Sequence, residues 1–297
     1  MSLKLTVLTG VLLSVAAWPV LAQPSSTPDV AVGPQYDTTH VYVAQADMAA
    51  FAASFVATFG GRATTPATMT VTPTPSSTSF EAVQTPAGSL SVFGFTTPIP
   101  FGFGAERTGY LVKEMDVAIA AAKANGANVL VAPFPDPIGR DAVIQWPGGV
   151  NMQLYWHTTA PNYTTLATVP ENRLYLSKER ADVFIRDFVA FSHGAVTSDD
   201  AAAPGVEIGR PGETYRRIRL SSAFGKAVVM VTDGHLPWPY GREMTGYEVA
   251  DLTATLAKAT ASGARVVVAR YHSDHRDAAI VQFPGGYIAD IHAAAAP

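Results

Sequence analysis

The stretch MDVAIAAAKANGANVLVAPFPDPIGRDAVIQWPGGVNMQLYW, residues 115–156, decides the fold. Its apolar period switches from helical to strand-like within the stretch. An Asp-led, alanine-rich run at helical spacing stops at Gly126, where the missing Cβ suits a helix end. NVLVA then reads as a strand. AVIQW and VNMQLYW flank Pro147-Gly148-Gly149 as the two arms of a hairpin. With GYLVK upstream, the order is strand, helix, strand, strand, strand.

The same plan recurs along the chain. PFGFGAERTGY at 100–110 returns as PWPYGREMTGY at 237–247, with six of eleven positions identical. At this offset of 137, Gly126 falls on Gly263 and QWPGG at 145–149 on QFPGG at 282–286. Upstream the offset is 133: HVYV at 40–43 falls on RLYL at 173–176, and Phe51 and Phe55 fall on Phe184 and Phe188. The chain is therefore a duplication of 34–157 and 170–293, joined by a Thr/Pro-rich linker at 158–169. Each copy contains two units. In the first, Asp47 is placed to cap a helix carrying Met48, Phe51, Phe55 and Phe59 on one face. The aromatic and alanine stripes specify cores.

Composition limits the function. The 297 residues are 48% hydrophobic and include no cysteine, so disulfides and a lipid-modified cysteine are excluded. The opening 22 residues, one lysine and an apolar run ending Val20-Leu21-Ala22, read as a secretory signal. The run is shorter than the roughly 20 residues a membrane span needs. The expected mature protein is exported, periplasmic or extracellular, with no membrane contact after cleavage. The full chain's net charge of −4 and the lack of a basic run argue against nucleic acid. No Gly-x-Ser-x-Gly or phosphate-binding glycine loop is present.

The pattern at 115–156, repeated in all four units, resembles the vicinal oxygen chelate superfamily, which includes glyoxalase I, extradiol dioxygenases and the bleomycin- and fosfomycin-resistance proteins. The resemblance implies an α+β fold: four βαβββ modules paired into two glyoxalase-like domains, each a curved mixed sheet with flanking helices. Each pair would form a cup for a ligand or metal. Carried over, the family's metal positions are His40, Val92, Gly109 and Gln153 in the first copy, and Arg173, Val229, Gly246 and Asp290 in the second. The first set offers two neutral donors, with Glu106 or His157 as a third from outside the family positions. The second puts a permanent cation where a ligand belongs. No metal is therefore expected. A divalent ion, if held, would use His40 and Gln153. Arg173 and Asp290 should instead form a charge-assisted pair. The sequence YHSDHRD at 271–277 has no histidine counterpart in the first copy and reads as a solvated loop.

The repeated phrase puts Phe101, Phe103 and Tyr110, and likewise Trp238, Tyr240 and Tyr247, beside Glu106 and Glu243. These residues suit the wall of an organic-ligand pocket. Turn geometry and a seal between paired units explain them too, and that structural reading is the preferred one. The leading expectation is metal-independent binding of a small organic molecule in cups containing His40, Gln153, Arg173 and Asp290. A glyoxalase- or dioxygenase-type enzyme using the first cup, and a partner-binding module, are the rivals. Self-association is left open by the sequence.

Overall fold

The computed structural model describes residues 27–98 and 106–295. Four modules follow one another. The first is β1 (Thr38–Tyr42), α1 (Met48–Phe59), β2 (Arg62–Ala63), β3 (Ala67–Met69), β4 (Thr78–Thr85) and β5 (Gly88–Phe95). The second is β6 (Glu106–Leu111), α2 (Met115–Ala124), β7 (Asn128–Pro135), β8 (Gly139–Trp146) and β9 (Val150–His157). The third is β10 (Glu171–Leu176), α3 (Lys178–Ser192), β11 (Ala195–Pro204), β12 (Thr214–Ser222) and β13 (Gly225–Val231). The fourth is β14 (Met244–Glu248), α4 (Leu252–Ala261), β15 (Arg265–Ser273), β16 (Arg276–Gln282) and β17 (Ile288–Ala294).

Each sheet uses strands of one copy only. The first runs β2-β4-β5-β1-β6-β9-β8-β7, with β3 also on β4, and the second runs β11-β12-β13-β10-β14-β17-β16-β15. Each is mixed: β1 is parallel to β5 and antiparallel to β6, which is parallel to β9. This is the expected fold of two curved sheets with flanking helices.

Local chemistry explains the helix ends. Glu114 and its counterpart Asp251 each accept a backbone N–H in the first turn, from Val117 at 2.7 Å and Ala254 at 2.9 Å. The cap of α2 is thus Glu114, one position before the run that announces the helix. Asp47 behaves differently from its expected role: a 3-10 turn leads into α1, and the Asp47 side chain makes no capping bond. Gly126 and Gly263 follow α2 and α4 with φ of +90° and +97°, a conformation that favours glycine.

The two copies do not have separate cores. One core joins the first module to the fourth: Phe55 on α1 is fully buried against Tyr247, Phe283 and Tyr287. The other joins the second to the third: Trp146 on β8 meets Phe188 and Phe191 on α3. Between these cores the central strand pairs touch. Thr39 and Thr245 hydrogen-bond at 3.1 Å, and Thr108 donates to Asn172 Oδ1 at 2.8 Å. In the duplication Thr39 corresponds to Asn172 and Thr108 to Thr245. Equivalent positions therefore meet across a pseudo-two-fold axis. Because side chains alternate along a strand, His40 and Tyr42 point away from this contact, into the concave face.

Candidate functional site

In the first copy the concave face encloses a cavity of about 180 Å³. His40 on β1 and Gln153 on β9 both line it, 4% and 7% exposed. They are brought together because β6, which pairs with both strands, carries only a glycine between them: Gly109 sits opposite Gln153 in register. A Cβ at Gly109 would lie 2.7 Å from His40 Nε2 and 3.2 Å from Tyr155 Cε1. His40 has thus folded over the space a side chain at 109 would need.

The walls are mainly rings. Phe93 on β5 stacks on Tyr42 at 5.4 Å, meets the His40 ring edge-on at 5.4 Å and packs on Phe80 of β4 at 5.5 Å. Tyr155 lies 5.1 Å from His157 on the other side. Met69, Val71, Pro137, Ile138 and Tyr163 add to the apolar lining, and Asp136 and Asp141 bring carboxylates to the same cavity. Burial raises the Tyr155 phenol well above the ordinary range, and its hydroxyl donates to the Tyr36 carbonyl. Burial also lowers His157 below the usual imidazole value, partly offset by Asp136. The cavity favours neutral groups and rings.

The donor set does not fit the metal that the fold's positions imply. His40 and Gln153 are neutral, Gly109 has no side chain, and the volume beside it belongs to the His40 ring. Among the described residues no three His, Cys, Asp or Glu side chains converge as a metal-holding group. A catalytic divalent site generally uses three protein ligands. Gly109→Ala is expected to push the His40 ring out of its position. The check is a shift of the His40 ring resonances in NMR spectra, with the fold retained by circular dichroism.

The second copy fills the floor of the equivalent space. Arg173 and Asp290 form a buried ion pair, 5% and 1% exposed. Asp290 shares a 2.7 Å hydrogen bond with His292, and Arg173 also donates to the Glu207 carbonyl at 3.2 Å. A 3-10 turn, Gly205–Ile208, carries Glu207 into the cup. There Arg217, Tyr215 and Ser273 all donate to its carboxylate. About 10 Å³ of cavity is left at this floor, too little for an organic ligand, while an open rim of about 330 Å³ is lined mainly by charged residues, among them Arg217, Arg219, Asp274 and Arg276. The duplication shows how this arose: Phe80, Phe93, Asp136 and Gln153 correspond to Arg217, Met230, Ser273 and Asp290.

Several expected site residues lie elsewhere. Tyr110 is buried in the core between the second and third modules, its ring edge-on to Phe224 at 5.0 Å and its hydroxyl accepting from Asn172. Tyr247 is likewise in the other core, hydrogen-bonded to Tyr287 at 2.9 Å. Neither lines a cup, as the ligand-wall reading required; both seal a core between modules, because their strand face is the one that meets the other copy. Val92 and Val229 are fully buried core residues, and Ser91 and Phe93 face the first cup in place of Val92. A register one residue out reverses the face. Trp238 is 59% exposed, while Tyr240 packs over the filled second cup with its phenol pushed up to about 12 by burial. Arg173 and Asp290 are committed to each other. Phe101 and Phe103 lie outside the described residues, as do the side chains of Glu106 and Arg107. Glu243 is half-buried. The 271–277 segment is a hairpin end whose Asp274 pairs with Arg217, so it is tied to the second cup instead of solvated throughout.

Tyr42, Phe80, Phe93 and Tyr155 were not expected at the site. Tyr42 and Tyr155 sit two residues beyond His40 and Gln153, so strand alternation carries the signal.

No family model and no curated protein matches the sequence. Solved structures do match. A variant of 4-hydroxymandelate synthase from Streptomyces coelicolor is 12% identical, with 88% of this chain and 93% of that chain covered at a TM-score of 0.59. The Mn(II)-bound glyoxalase from Novosphingobium aromaticivorans is 13% identical, covering 86% and 80% at 0.53. A variant of homoprotocatechuate 2,3-dioxygenase from Brevibacterium fuscum is 12% identical, covering 91% and 73% at 0.54. Module order, sheet topology and these likenesses agree: the chain has the paired-module fold of the vicinal oxygen chelate superfamily.

Proposed function

We propose that this is an exported protein whose first cup binds a small, ring-bearing organic molecule without a metal ion, while the second copy serves as its scaffold. The observation that carries this reading is the contrast in lining between equivalent spaces: about 180 Å³ walled by Tyr42, Phe80, Phe93 and Tyr155 in one copy, whereas in the other ion pairs leave about 10 Å³ at the floor and the open rim of about 330 Å³ is lined by Arg217, Arg219, Asp274 and Arg276. Rings on the walls supply apolar contact and preferred stacking geometry, and His40 and Gln153 at the floor orient a polar substituent.

A thermal-shift screen with aromatic and dicarbonyl compounds tests it, because a ligand of the folded form raises its melting temperature. A hit should lose affinity at least about tenfold in Phe93→Ala, which removes the ring in contact with three others. An affinity unchanged in both Phe93→Ala and His40→Ala would place binding elsewhere.

The rival is a metal-dependent lyase or dioxygenase in the first cup, favoured by the likeness to a Mn(II)-bound glyoxalase and to dioxygenases. Stoichiometric metal in protein purified without chelator, lost in His40→Ala, would replace the metal-free reading with that one. Export follows from residues 1–22, which lie outside the described residues. Mass spectrometry of the mature protein should find Gln23 at its start.

A further inference from the structure

A second cavity, of about 30 Å³, lies between the copies and belongs to neither cup. Its wall is rich in oxygen: Asp37, Thr39, Ser89 and Thr108 come from the first copy, Asn172 and Thr245 from the second. It is large enough for one water-sized occupant, which needs about 10–15 Å³.

Two of these groups are orphans. Asp37 Oδ1 accepts the Leu111 N–H at 3.2 Å, but Oδ2 is buried with no hydrogen-bond partner among the described residues. Ser89, 5% exposed, has a buried Oγ in the same condition. The other donors are directed at protein acceptors. Thr108 donates to Asn172 Oδ1, the Asn172 amide donates to Tyr110 Oη at 2.9 Å, and Thr39 and Thr245 bond to each other. Threonine hydroxyl oxygens keep lone pairs after donating. The one ammonium in the wall, on Lys226, is paired with Glu248 at 3.2 Å. Burial drives the Asp37 carboxyl well above its ordinary range, against the smaller opposing effect of the Leu111 N–H.

We propose that this seam binds a monovalent alkali cation, Na⁺ or K⁺, with the Asp37 carboxylate as its charged ligand and the Ser89 and threonine hydroxyls in its shell. The oxygen donors suit a hard cation. Their single unpaired carboxylate balances one positive charge, whereas a divalent ion would leave a buried excess. Bound there, the ion draws oxygens of both copies together beside the pseudo-two-fold axis.

The test is thermal denaturation of the full chain in about 150 mM NaCl, KCl or N-methylglucamine chloride, at equal ionic strength so that screening is constant. Wild type should melt about 3–5 °C higher in at least one alkali salt than with the bulky organic cation. Asp37→Asn should abolish the difference, and Ser89→Ala, which leaves the charge in place, should at least halve it. Equal melting temperatures in all three salts would mean a neutral Asp37 beside a water and would overturn the proposal. A difference that survives both substitutions would also overturn it.

Discussion

Asp290→Ala is expected to destabilise the protein by about 3–5 kcal/mol, because it leaves the Arg173 guanidinium buried without its carboxylate. The pair is nearly inaccessible, so solvent cannot replace the lost partner. Arg173→Met combined with Asp290→Leu removes both charges together and should recover most of the loss, since a buried pair is often replaceable by apolar groups of similar size. Urea unfolding of the single and double variants checks the cycle. A single variant that costs under about 1 kcal/mol would mean that Arg173 has other compensation. The pH dependence has a definite sign. Arg173 and His292 hold the Asp290 carboxyl below the usual carboxylate range, against the opposing effect of burial. A depressed acid contributes stability above its unfolded value of about 3.9, and that contribution is lost as pH falls through the folded value. Wild type should therefore keep this increment through mildly acidic pH and lose it only in strong acid, whereas the double variant should show no such loss.

Phe55→Ala is expected to cost about 3–5 kcal/mol, the range for emptying a large buried aromatic position. Phe55 is fully buried and touches rings from both ends of the chain: Phe51 and Phe59 on its own helix, and Tyr247, Phe283 and Tyr287 in the fourth module. The cavity therefore opens in a core that the copies share, and both should lose stability together. Tryptophan fluorescence and far-ultraviolet circular dichroism should follow one coincident, shifted transition. Two separated transitions, with the second copy unaffected, would show that the cores are not coupled.

The fold was legible because it rests on periodicity and repetition. The switch from helical to alternating spacing at 115–156, and its return in four units, survives translation into strands and helices nearly unchanged. The pairing of Arg173 with Asp290 was legible for a similar reason, since the family positions put both on the concave face. What sequence reading missed depends on faces and long-range partners. Tyr110 and Tyr247 belong to a conspicuous repeated phrase, yet their side of the strand meets the other copy. Phe80 and Phe93 carry no motif, and only the register β4–β5–β1 places them around His40. The occlusion of the second cup depends on Glu207, which arrives on a turn that no period announces.

The interlocked cores also explain why an occluded cup persists. The third and fourth modules have filled the floor of their own hollow with charge, but their opposite faces form half of the packing beneath the open one. A deletion of the second copy would strip the first of its backing, leaving Phe51, Phe55, Trp146 and Leu154 facing water. The duplicate is thus free to abandon ligands while its outer geometry stays under constraint. Sequence drift should be tolerated at Glu207 and Tyr215 when their partners change with them, and resisted at Phe188, Phe191 and Phe283.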